Sequence, residues 1–168
     1  GASGISGVVS SSNSLVGSTA NDQVGGGGVT ALTNGNYVVR SPNWDNGAVS
    51  NAGAVTWGNG TTGITATVSS SNSLVGSTAN DNVGNSGVTA LTNGNYVVSS
   101  SSWNNGAITG AGAATWGNGA TGITGTVSSS NSLVGSTSFD GVGSPGITAL
   151  TNGNYVVRSY NWANVAAS

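Results

Sequence analysis

The side chains able to do acid–base, ionic or stacking chemistry in this chain are few and regularly placed. Four carboxylates stand at Asp22, Asp45, Asp81 and Asp140, two guanidinium groups at Arg40 and Arg158, and five indoles at Trp44, Trp57, Trp103, Trp116 and Trp162. There is no Lys, Glu, His, Cys or Met. Zinc, haem and iron–sulfur sites need His or Cys. Ser–His–Asp and Cys–His catalysis would lack their base. Paired-carboxylate catalysis would require scattered Asp residues to converge. The chain is therefore expected to be non-enzymatic, with no catalytic residue, no metal and no cofactor. Asp22, Asp81 and Asp140 recur 59 residues apart. Calcium needs six to eight oxygen ligands, and each of these segments offers one carboxylate. The favoured reading is a carboxylate accepting nearby backbone N–H groups in an Asx-type turn.

The indoles recur at the same interval. Trp44, Trp103 and Trp162 lie in loops with Asn46, Asn105 and Asn164. These six residues are the candidate ligand-binding set, since an aromatic face stacks on pyranose C–H groups and an amide bonds hydroxyls. The competing reading makes the rings covers for a thin core. It is favoured, most strongly for Trp57 and Trp116, which fall in strand-like segments. Arg40 and Arg158 occupy equivalent positions with Ser99 between them, and read as solvated strand ends. Two Arg cannot offset nucleic-acid phosphates, so nucleic acid is not an expected partner.

The elements that must position these residues repeat. SSSNSLVGST stands unchanged at 10–19, 69–78 and 128–137, and TALTNGNYVV at 30–39, 89–98 and 148–157. The repeat units are taken as 1–60, 61–119 and 120–168 of a single repeat domain, the last incomplete. Val, Thr, Tyr and Trp outweigh helix formers, which favours strands. In the first unit GVTAL (28–32) and NYVVRS (36–41) flank an Asn-Gly that recurs at Asn93-Gly94 and Asn152-Gly153, the strongest short hairpin signal because Asn and Gly both tolerate positive φ. Residues 53–58 are then expected to turn through Asn59-Gly60 into a strand at 63–69. Four strands per unit, or five, fit the spacing. The fold class is all-β: three 59-residue antiparallel sheet repeats resembling β-propeller blades, with a three-sheet prism or a fibre-forming β repeat as the alternative. A single twisted sheet cannot bury both faces, so each unit needs neighbours. The segment Ile5–Val9 is expected to complete the sheet begun by Tyr155–Arg158, within one molecule or between molecules, because an unpaired edge invites aggregation.

Net charge is only −2, and Gly supplies 30 of the 168 residues. So little charge gives small electrostatic protection from self-association, and homo-oligomer or filament formation is the expected partnership, with glycans second. No apolar run approaches the length of a membrane-spanning helix, so no membrane insertion is expected. The chain begins with Gly1, read as a mature or excised piece. A surface of Ser, Thr, Asn and Gly suits an extracellular or cell-surface location.

The string VTALTNGNYVV, SPNWDNG, AGAVTWGNGTTGITATVSSSNSLVGST resembles the tandem repeats of large secreted bacterial surface proteins, including filamentous-haemagglutinin-type adhesins and propeller-like repeat proteins. That resemblance implies secretion and an architectural or adhesive role, and it carries over no catalytic residue. Two functions follow as expectations: a structural segment of a surface fibre or adhesin, and a lectin-like module using the Trp/Asn loops.

Overall fold

The computed structural model describes residues 4–163 and, among them, contains strands and turns but no helix. Strand β1 (Leu15–Val16) comes first. One full set of five follows: β2 (Gly28–Ala31), β3 (Tyr37–Ser41), β4 (Ala54–Gly58), β5 (Ala66–Thr67) and β6 (Ser73–Val75). A second set repeats it as β7 (Gly87–Ala90), β8 (Tyr96–Ser100), β9 (Ala113–Gly117), β10 (Gly125–Thr126) and β11 (Ser132–Val134). Strands β12 (Ile147–Ala149) and β13 (Tyr155–Val157) begin a third. The order within a sheet is β2-β3-β4-β6 in the first repeat and β7-β8-β9-β11 in the second, all antiparallel. Each sheet module thus runs across the unit boundary drawn at residue 60 or 119, while the 59-residue period is unchanged.

The Asn-Gly connections are hairpins, but of a different kind from the two-residue turn. Leu32 N donates to Asn36 O at 2.8 Å and Gly35 N to Leu32 O at 3.1 Å. Gly35 alone takes a positive φ, 85°, and Asn34 does not. This is a three-residue loop, in which a single left-handed residue suffices.

The expected strand at 63–69 does not pair with 53–58. After β4 the chain turns at the Asn59–Gly63 bridge, leaves the sheet, and returns as β6. Thr56 and Ser73 share a buried hydroxyl bond at 2.7 Å across β4 and β6. The excursion itself carries β5, which pairs in parallel with β1 of the preceding repeat, Leu15 opposite Ala66. Strand β10 does the same on β6, Leu74 opposite Gly125. The repeats are therefore not purely antiparallel. Each is clasped to its predecessor by a short parallel pair.

This clasp also bears on the expected terminal pairing. Within one molecule Ile5–Val9 is not joined to Tyr155–Arg158, and β13 pairs with β12. By the 59-residue period, 5–9 corresponds to 64–68 and 123–127, and those segments pair with a Leu-Val strand.

The core lies between consecutive sheets. Val38, Val55 and Leu74 pack with Tyr96, Val98, Trp103 and Ala113 in one layer. Leu91, Val97 and Ala114 pack against Ile147, Ala149, Tyr155 and Val157 in the next. On β8, Val98 faces backward and Val97 forward, and both are fully buried. A sheet covered on both faces needs an unbroken apolar run, which Tyr-Val-Val supplies. Each such buried side chain contributes roughly 1.5–3 kcal/mol. The hairpins stack as well. A Cβ added to Gly94 would lie 3.2 Å from Asn34 of the preceding hairpin, and one added to Gly153 would lie 3.0 Å from the Asn93 Cβ.

Candidate functional site

The three recurrent aspartates each sit at the centre of a loop clamp. Asp81 Oδ2 accepts N–H bonds from Ser77 (2.9 Å) and Thr78 (2.8 Å), and its Oδ1 accepts the backbone and side-chain N–H of Asn104, each at 3.0 Å. Asp22 accepts from the Ser18, Thr19 and Asp45 N–H groups and from the Thr19 hydroxyl. Asp140 accepts from Ser136, Thr137 and Ala163. All three are buried. Each ties the Gly-Ser-Thr turn to the Trp loop 23 residues on. The Asx-type reading therefore describes what these carboxylates do. Among the described residues no group of three or more Asp, Glu, His or Cys comes together.

Two of the carboxyls are held below their ordinary pKa of 3.8. At Asp140 the Ala163 N–H is the largest influence. Burial opposes it, and the Thr137 and Ser136 N–H groups add to it. At Asp22 burial is the largest influence and pushes upward, but the Thr19 hydroxyl and three backbone N–H groups outweigh it. A depressed folded-state pKa gives stability that is fully present above the unfolded value and is lost as pH falls through the folded value. With no His present, the melting temperature is expected to stay nearly flat from about pH 8 to pH 5 and to drop below about pH 4. Thermal melts by circular dichroism at stepped pH check this, and a transition centred near pH 6 would contradict it.

The sugar-stacking candidates are dispersed. Trp44 and Trp103 are buried, 2% and 4% exposed, so neither ring face is available for stacking. They are more buried than the strand residues Trp57 and Trp116, the reverse of expectation. The reason is tertiary: each loop tryptophan folds onto the apolar layer beside its own sheet, Trp103 against Leu74 and Val98. Their indole N–H groups have no protein acceptor. Asn46 and Asn105 turn away to the Gly76 and Gly135 carbonyls, each at 3.0 Å. Trp162 is 54% exposed, and Asn164 lies outside the described residues.

The residues that join repeats escaped the sequence reading. Asn34 Nδ2, Asn36 Nδ2 and Trp57 Nε1 all donate to the Gly119 carbonyl, at 2.8, 2.8 and 2.9 Å. Thr33 donates to Leu91 O, and Thr92 to Thr151 O one repeat later. Arg40 is not a solvated strand end, because its Nη1 donates to Gly84 O of the next repeat at 2.9 Å. Ser99, at the equivalent position, reaches Gly143 O at 2.7 Å. The one available signal was that Arg40 and Ser99 share a register position while differing in charge, which points to hydrogen bonding as their common task.

A family model describing a repeat of unknown function matches residues 1–26, 31–85, 90–144 and 149–168. Nothing in that match links the chain to filamentous-haemagglutinin-type adhesins. No curated protein and no solved structure matches it.

Proposed function

The chain belongs to the DUF5650 repeat family, and from that premise we propose that it is a non-enzymatic structural module whose repeats stack end to end in an extracellular fibre or adhesin. The observation that carries this is the recurrence of one joint. The parallel clasp of β5 on β1 returns in the same register as β10 on β6. Such a head-to-tail contact presents a different surface on each side and can be repeated without closing. It accepts a further repeat from the same chain or from a second copy. An open stack is favoured over a closed propeller for that reason.

The forward face of the second repeat supports the reading. Leu74 is fully buried where β10 of the next repeat clasps β6, and Leu133 is its counterpart at the joint a further repeat would take. By the period, Gly7 and Val8 occupy the register positions of Ala66 and Thr67, so the partner strand for a second copy's 5–9 segment is β11. The near absence of charge favours such association. The neutral Ser, Thr, Asn and Gly surface supports an extracellular setting.

Light scattering and negative-stain microscopy over a range of concentrations test the proposal. Concentration-dependent linear assembly is expected, and Leu133→Asp should abolish it while leaving the far-ultraviolet spectrum unchanged. A strict monomer at every concentration, or assembly indifferent to Leu133→Asp, overturns it.

A further inference from the structure

We infer that the groove between the second and third repeats is a binding site for a neutral oligosaccharide, with Phe139 as its stacking face. The groove is open to solvent and has a volume of about 750 Å³, within the range of small-molecule sites. Asn80, Asn82, Ser102, Thr109 and Asn161 place amide and hydroxyl groups in its wall beside the apolar surface of Ala79, Ala107 and Phe139, and no charged residue is among the lining residues. An uncharged, hydrogen-bonding wall suits an uncharged, hydroxyl-rich ligand and offers nothing to a phosphate or a peptide carboxylate.

Phe139 marks the site because it breaks the repeat at a cost. The equivalent residues are Asn21 and Asn80, both at positive φ (69° and 63°), where Asn is tolerated. Phe139 sits at φ 66°, a backbone region in which a bulky residue is strained. Its side chain is nonetheless 69% exposed, so burial does not offset the strain. A second change accompanies it. In the preceding joint Asn51 Nδ2 donates to Asn80 Oδ1. Here Gly110 replaces Asn51, and the Phe139 ring lies over that glycine, where an added Cβ would come within 3.2 Å of it. A polar side-chain pair has been exchanged for a flat aromatic face at the rim of the groove. The wall also keeps unused bonding capacity. Asn80 engages through Oδ1 and Asn82 through Nδ2, on the Pro42 carbonyl, which leaves a donor on the first and an acceptor on the second for ligand hydroxyls.

This site shares no residue with the candidate set of Trp44, Trp103 and Trp162, and does not depend on assembly between molecules. The full chain is screened on an array of neutral gluco-, galacto-, manno- and N-acetylhexosamine oligosaccharides, and positives are titrated by calorimetry. Binding by the parent chain is expected, with affinity falling roughly tenfold or more in Phe139→Asn and kept in Phe139→Tyr. Phe139→Asn restores the residue of the other two repeats, so its fold is expected to be intact and its melting temperature unchanged or raised. No binding to any neutral glycan, or binding unaffected by Phe139→Asn, overturns the inference.

Discussion

Asp81→Ala is expected to unfold the chain or bring it close to unfolding. The substitution strands two backbone N–H groups of the Ser77–Thr78 turn, and both the backbone and side-chain N–H of Asn104, around a fully buried carboxylate. A buried donor left without an acceptor costs about 1–3 kcal/mol. The two buried Asn104 donors alone amount to about 2–6 kcal/mol, a large part of a stability that is typically 5–15 kcal/mol, and the part-buried Ser77 and Thr78 N–H groups add less because water can reach them. Asp81→Asn should also be costly, by about 2 kcal/mol or more, because each carboxylate oxygen serves two donors and an amide nitrogen cannot replace either. Asp45→Asn is the control. Asp45 Oδ1 accepts only the Asn51 N–H among the described residues, and the equivalent residue one repeat later is Asn104, whose Oδ1 accepts the Gly110 N–H. That change should alter stability by less than about 0.5 kcal/mol. Urea unfolding of the three variants decides the matter. Equal midpoints for Asp81→Asn and Asp45→Asn would show that the clamp contributes nothing particular.

Leu74→Ala and Leu133→Ala make the second contrast, between identical residues in identical local sequence. Leu74 is fully buried in the layer between the first two sheets, and truncating a leucine in such a layer costs about 2–5 kcal/mol. Leu133 is 58% exposed, so its truncation should cost less than about 1 kcal/mol in the monomer. The midpoints should separate accordingly when measured at concentrations too low for assembly. Similar losses would mean that the two joints are energetically alike and that the second leucine is covered in solution.

Much of this molecule was legible without coordinates. The strands, the hairpin at Asn34-Gly35 and the role of Asp22, Asp81 and Asp140 all follow from short-range chemistry: β-branched runs, a glycine in the left-handed region, and a carboxylate three or four residues from the N–H groups it accepts. The strand at 63–69 was misassigned because sequence adjacency suggests a hairpin, whereas the Leu-Val strand of the preceding repeat offers an open edge. A core-covering role for Trp44 and Trp103 was the favoured reading, but not that they are covered more deeply than Trp57 and Trp116. An Asn-flanked tryptophan in a loop looks the same whether its ring points to solvent or folds back against Val75 or Val98.

The sequence by itself determined an all-β chain of period 59 with little charge and with one carboxylate clamp per repeat, since patterning, turn chemistry and copy number are local or additive properties. The tertiary structure alone decided which edge each short strand completes, which tryptophans are covered, and that Arg40 and Ser99 perform one task. Those outcomes depend on which surface of the neighbouring repeat lies opposite, and residues equivalent in sequence, such as Leu74 and Leu133, differ there because their neighbours do.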